Sequence, residues 1–232
     1  MRRKGASMQR IANMLGHFKN PYDAMSEEER SERERTIREE EEQMRRREYL
    51  RRLDYARIPE RYKAAELADC LGEVQRYAQD VLDGGDGWML LVGANGRGKT
   101  HQACAVLRHV ARKMRGRFCT MQGILDECKD TFGRPESAES VKRRYISEPF
   151  LVIDDLGKEQ ATEWSLPLIF AIINGRYNRC KPTMFTTNMD ANGLLAHLVR
   201  SGERTMADSV LSRVLTAERV AVEGVDRRRR HG

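Results

Sequence analysis

Gly93-Ala94-Asn95-Gly96-Arg97-Gly98-Lys99-Thr100 has the form G-x-x-x-x-G-K-[ST]. Before it runs the apolar segment Trp88 to Val92, of strand length. After it, Ala103, Val106, Leu107 and Val110 recur at helical spacing between His101 and Arg112. Strand, glycine-rich loop and helix is the order in which this pattern holds phosphate. The loop's backbone N–H groups surround the β-phosphate and the helix N-terminus adds favourable partial charge. Lys99 reaches the β and γ oxygens, and the Thr100 hydroxyl ligates Mg²⁺. The stretch therefore predicts an α/β domain with a site for ATP or GTP, built from Gly93 to Thr100 with His101 on the first turn beyond.

Downstream, Phe150-Leu151-Val152-Ile153-Asp154-Asp155 is an unbroken apolar run ending in two acids. Runs of this kind mark strands buried on both faces of a parallel sheet. The carboxyl end of such a strand faces the ligand, where Asp154 meets the Mg²⁺ that Thr100 touches. Between the two motifs, Arg117 to Gln122 reads as a strand and Ile124 to Phe132 as a helix. The gap thus leaves room for another strand between the P-loop strand and the Asp154 strand. That arrangement belongs to the additional-strand ATPases, the RecA and AAA+ types, and argues against a small-molecule kinase. A further strand, Thr183 to Thr187, follows a helix from Glu163 to Asn178 and ends in Asn188, a polar residue suited to orient an attacking water.

The rest of the chain is built around this core. Its 232 residues suffice for one α/β domain and an appendage. With 42 Lys and Arg against 35 Asp and Glu, the net charge is +7, which favours a polyanionic partner. Cys70, Cys104, Cys119, Cys128 and Cys180 form no C-x-x-C pair and read as buried small hydrophobes in a reducing compartment. No apolar run approaches the roughly 18 residues of a membrane span, so a cytoplasmic protein is expected.

From Ser26 to Arg57 the chain is dominated by Glu and Arg, with pairs at three and four residues' spacing, as in a solvated helix. Such a helix serves either as a charged linker or as a docking arm. Met8, Ile11, Met14, Leu15 and Phe18 predict a short amphipathic helix ahead of it, the better candidate for partner contact. Pro59 disfavours helix at Ile58, which sets the expected boundary: residues 1–57 as a partner-binding segment and 58–232 as the nucleotide domain. Leu67 to Leu82 reads as the first helix of that domain.

Taken together, Gly93 to Thr100, Leu151 to Gly157 and Thr186-Thr187-Asn188 resemble the DnaC/IstB-type AAA+ ATPases, the bacterial and phage helicase loaders and transposition helpers. Ile58-Pro59-Glu60-Arg61-Tyr62, Thr162-Glu163-Trp164, Asn174 to Asn178, Leu211-Ser212-Arg213-Val214-Leu215 and Gly224 to Arg228 are similar to further family segments in the same order. The resemblance implies a parallel five-stranded sheet flanked by helices, with ATP and Mg²⁺ as cofactors. Asp154 would support the metal, Asp155 polarise the hydrolytic water and Asn188 act as sensor 1. Arg213 would be an arginine finger supplied to a neighbouring subunit, and Arg227 or Arg228 would contact nucleotide in cis. The active form would be an oligomer. His101-Gln102 departs from the family's usual His-Leu, and Asp155 stands where AAA+ proteins at large carry Glu.

In function, the resemblance implies a loader that binds a replicative DNA helicase through its N-terminal segment and places it on single-stranded DNA. Alternatives are an IstB-like transposition helper acting on duplex DNA, and an adaptor that binds ATP without hydrolysing it. Two basic clusters are the candidate DNA contacts. One is Arg112, Lys113, Arg115 and Arg117; the other is Lys142, Arg143 and Arg144, next to Tyr145.

Overall fold

The computed structural model describes residues 25–131, 133 and 137–224. They belong to two compact units that meet in sequence between Glu48 and Tyr49. Helix α1 (Glu27–Tyr55) begins in the first unit and buries no residue along its length. Its start is a capping box: the Ser26 hydroxyl accepts from the Glu29 N–H, and the Glu29 carboxylate accepts from the Ser26 N–H. Arg45 pairs with Glu41 at 2.9 Å and Arg35 with Glu39 at 3.1 Å, the expected one-turn spacing. The amphipathic helix expected around Met8 to Phe18, and the Arg227–Arg228 segment, lie outside the described residues.

In the second unit, five strands form a parallel sheet. They are β1 (Trp88–Val92), β2 (Gly116–Thr120), β3 (Phe150–Asp154), β4 (Thr183–Thr187) and β5 (Glu218–Ala221), in the order β2-β3-β4-β1-β5. The strand between the P-loop strand and the Asp154 strand is therefore β4, which follows β3 in the chain. The strand found in the sequence gap, β2, takes the outer edge beyond β3 instead. Met121 and Gln122, expected in that strand, open the next helix, because the Thr120 hydroxyl accepts from the Gly123 N–H and caps it.

Alternate residues of the strands feed two cores. Leu90, Leu151, Ile153 and Phe185 face α4 (Met121–Lys129), α5 (Ala138–Ser147), α6 (Ser165–Tyr177), α7 (Ala191–Leu198) and α8 (Arg204–Val214). Met89, Leu91, Val152 and Met184 face α2 (Gly72–Leu82) and α3 (Lys99–Val110). Burial on both sides is what makes β3 and its neighbours read as continuous apolar runs. The helix expected over Leu67 to Leu82 is broken at Cys70 and Leu71, and Leu67–Asp69 is a separate 3-10 turn. Of the cysteines, Cys70, Cys104 and Cys128 are buried and Cys119 is half-buried. Cys180 is exposed, contrary to expectation.

The second unit begins at Tyr49, ahead of Ile58, and the last turns of α1 are bonded to it. Arg52 donates to the carbonyls of Ala111 and Arg112, Tyr55 donates to Glu148 at 2.7 Å, and the Phe118 N–H donates to Ala56. Opposite the P-loop end of the sheet, Arg176 is fully buried. Its guanidinium donates to the carbonyls of Tyr145, Glu148 and Pro182 and to the Thr183 hydroxyl, all within 2.8 Å. It thereby satisfies carbonyls left open at the C-terminus of α5 and bolts α6 to the start of β4.

Candidate nucleotide site

The P-loop connects β1 to α3, and two of its glycines take left-handed backbone, Gly96 at φ 77° and Gly98 at φ 93°. Gly93 is required for a different reason. A Cβ there would stand 2.4 Å from the Val222 carbonyl oxygen, just beyond β5, where the Val222 N–H donates to Val92 at 2.7 Å. Gly98 offers no side-chain cap to α3, so the first-turn N–H groups are left for an anion. Lys99 is buried and its ammonium donates to the carbonyls of Gly93 and Ala94 and, at 2.5 Å, to Asn188 Oδ1. Asn188 Nδ2 in turn donates to Asn95 Oδ1 at 2.8 Å, so the residue at the end of β4 is tied to the loop that would hold phosphate.

Thr100 Oγ1 donates toward both Asp154 carboxylate oxygens, at 3.0 and 3.1 Å. This is the hydroxyl-carboxylate pair that a Mg²⁺ bound to a triphosphate needs. Among the described residues no cluster of three His, Cys, Asp or Glu can hold a metal alone. Mg²⁺ fits such a site because it takes few protein ligands and completes its shell with phosphate and water oxygens. Burial pushes the Asp154 carboxyl above its ordinary range and the adjacent Asp155 adds to this, while hydrogen bonds from Thr186 and Thr100 oppose the rise.

Thr186 is the residue that sequence reasoning left without a role. It is fully buried; its hydroxyl donates to Asp154 Oδ1 at 2.6 Å and accepts from the Asp155 N–H at 2.9 Å, so one oxygen joins both acids. Its carbonyl accepts from the Leu156 N–H, and the Thr187 hydroxyl donates to the Leu156 carbonyl. The legible signal was two threonines at the end of an otherwise apolar buried strand. Asp155 itself has φ 57°, a left-handed conformation in which Asp and Asn are enriched. Its carboxylate is paired with Lys158 at 2.7 Å. The departure at Gln102 also has a structural consequence: its Oε1 accepts from the Leu71 N–H at the start of α2.

Arg213 lies elsewhere. On α8, its guanidinium sits over the rings of Phe170 and Tyr177, and Tyr177 packs edge-on against Trp88, the first residue of β1. The P-loop follows the last residue of that strand, about 13 Å further on at strand rise. Arg213 is thus at the opposite end of the sheet from its own P-loop.

The expected basic clusters are corrected in part. Arg117 is buried between the rings of Tyr55 and Tyr145 with Glu127 at 3.7 Å, because the end of α1 covers the edge of β2; it is not available to DNA. Lys142 pairs with Glu139 and Arg144 with Glu127. Arg115, over Tyr55, and Arg143 keep most of their side chains exposed.

No helix among the described residues is long and apolar enough to cross a membrane. In solved structures the fold recurs in a DnaI crystal structure (TM-score 0.63, 21% identity, 72% of this chain and 96% of that one). It recurs also in the crystal structure of the DnaC helicase loader (TM-score 0.59, 25% identity, 71% and 100%). Among curated proteins, the phage-like element PBSX protein XkdC of Bacillus subtilis is 27% identical over 135 residues, 55% of this chain; the match spans about half the length of that relative, 49%. Residues 18–232 match the family described as IstB-like ATP binding protein, and with this match added to the P-loop, the paired acids and the β2-β3-β4-β1-β5 sheet, the chain belongs to that family.

Proposed function

We propose that this protein is an ATP-dependent helicase loader. In this reading residues 1–57 bind a replicative DNA helicase, and residues 58–232 form an oligomer in the cytoplasm that helps place the helicase on single-stranded DNA. ATP is held by Gly93 to His101, with Arg227 or Arg228 reaching it in cis. Thr100 and Asp154 carry Mg²⁺, whose chemistry is to neutralise phosphate charge. Asp155 accepts a proton from, or polarises, the attacking water, and Asn188 orients it. Lys99 is already aimed into the loop and moves from its carbonyl partners to phosphate oxygens. DNA contact falls to Arg115 and Arg143, with Lys142 and Arg144 beside them.

The observation that carries the reading is the separation within one chain. Thr100, Asp154, Asp155, Asn188 and Lys99 converge, while Arg213 stands at the far end of β1. A guanidinium there serves only a neighbour's γ-phosphate, and such a residue is worth about three to five orders of magnitude in rate. Hydrolysis is therefore slow in the isolated chain and rises on assembly. The helicase assignment is supported by the likeness to the DnaC helicase loader, and the family match itself favours one second reading, an IstB-like helper that acts on duplex DNA with a transposase.

Co-purification with a replicative helicase against a transposase separates these two. ATPase rates of wild type, Lys99→Ala and Arg213→Ala test the chemistry, with both variants expected to lose assembly-stimulated turnover. No turnover by the wild type with any DNA or partner would leave a non-hydrolysing adaptor.

A further inference from the structure

Phe170 and Tyr177 are seven residues apart on α6, two turns, so their rings lie on one face about 10.5 Å apart along the axis. The Arg213 guanidinium falls between them, 5.4 Å from the Phe170 centroid and 5.8 Å from that of Tyr177. Tyr177 is itself braced from the core. Its ring meets Trp88 edge-on at 5.8 Å, Trp88 meets Phe185 at 5.3 Å, and the Trp88 indole N–H donates to the Lys181 carbonyl at 2.9 Å. Phe170 packs against the same core.

The polar contacts of the Arg213 guanidinium are few. Nη1 donates to the Ser209 carbonyl one turn back at 2.8 Å, Nε has no acceptor, and no carboxylate among the described residues pairs with the group. A guanidinium stacked on rings and left without a counter-ion keeps its charge and its Nη2 donors for an external anion, and its long flexible stem is already ordered. Tyr177, whose ring holds the group, and Leu215, two residues beyond Arg213 along the chain, are large exposed hydrophobic residues.

We propose that Phe170 and Tyr177 are positioning residues, a two-ring clamp that fixes the Arg213 guanidinium for the γ-phosphate held by a second copy of this chain. The proposal rests on the reading of Arg213 as a finger supplied in trans. The clamp converts a mobile side chain into a preorganised one, so its loss lowers the rate of the chemical step in the neighbour and leaves nucleotide binding in its own chain unchanged.

The test is the assembly-stimulated ATPase of the full chain, alone and in mixtures. Misplacement of a positioned group by about 1 Å costs about a hundredfold. Tyr177→Leu and Phe170→Leu should therefore each lower kcat about a hundredfold with KM and ATP-analogue affinity unchanged, whereas Tyr177→Phe should retain the wild-type rate. Mixing separates positioning from damage to the fold. Tyr177→Leu with Lys99→Ala should recover turnover, because the Lys99→Ala copy brings an intact clamped finger to an intact site. Tyr177→Leu with Arg213→Ala should stay inactive, although Lys99→Ala with Arg213→Ala recovers.

Recovery of Tyr177→Leu with Arg213→Ala to the level of that control pair overturns the clamp. So does failure of Tyr177→Leu to recover with Lys99→Ala. Wild-type turnover by Arg213→Ala, or none by the wild type, instead defeats the trans-finger reading and the clamp with it.

Discussion

Thr186→Val replaces a hydroxyl by a methyl of nearly the same shape and keeps a β-branched residue in β4. It removes two hydrogen bonds at once, the 2.6 Å donation to Asp154 and the 2.9 Å acceptance from the Asp155 N–H. A bond to a charged group is worth about 1.5–3 kcal/mol, and an N–H left without a partner costs about 1 kcal/mol or more. At pH 7 without Mg²⁺, the variant should lose about 2–4 kcal/mol of unfolding free energy, a large part of the roughly 5–15 kcal/mol that domains possess.

The loss also has a pH signature. Burial holds the folded Asp154 carboxyl above its unfolded value, so the group favours the fold when protonated, and this contribution is lost as pH rises through the folded pKa. Removing the Thr186 donor pushes that pKa higher still, at about 1.4 kcal/mol per unit. The destabilisation should therefore be larger at pH 7 than at pH 4, where a larger fraction of the carboxyl is protonated in both proteins.

Urea unfolding followed by the fluorescence of Trp88 and Trp164, in a chelating buffer, measures this. Thr186→Ser keeps the hydroxyl and should lose only about 1 kcal/mol for the missing methyl, equally at both pH values. A loss by Thr186→Val below about 0.5 kcal/mol, or one identical at pH 4 and pH 7, would falsify the account of one hydroxyl joining both acids.

Substitutions at three further positions probe the frame of the site. Arg176→Met leaves the carbonyls of Tyr145 and Glu148 without their buried donor and should cost about 3–5 kcal/mol in urea unfolding; a loss under 1 kcal/mol would show that water replaces the guanidinium. Asp155→Glu puts a longer side chain on left-handed backbone and should cost about 1 kcal/mol, while Asp155→Gly should be at least as stable as wild type; the reverse order in thermal melts refutes the conformational argument. Gly93→Ala drives a Cβ against the Val222 carbonyl and should cost about 1–3 kcal/mol and weaken binding of a fluorescent ATP analogue; unchanged affinity would mean that the strand end yields freely.

What the sequence determined by itself is the local chemistry. Gly93 to Thr100, the run into Asp154 and Asp155, and Asn188 behind a β-rich segment are short contiguous patterns, each written by one element and its turn. The paired charges of α1 were legible for the same reason, since residues one helical turn apart need no tertiary partner. The α/β class followed from apolar runs that only two-sided burial explains.

The tertiary structure decided everything that depends on which segments lie side by side. Strand order is not written locally, so the strand beside the P-loop strand proved to be β4, with β2 outside. The role of Thr186 exists only because β4 lies beside β3. Arg117 looked like its basic neighbours until α1 and α5 brought Tyr55 and Tyr145 over it. Arg213 had the charge of a finger in sequence, but its place at the far end of the sheet, between two rings set by α6, comes from packing alone. A residue's type fixes what it is able to bond, whereas its environment fixes which bonds remain unmade and free for a partner.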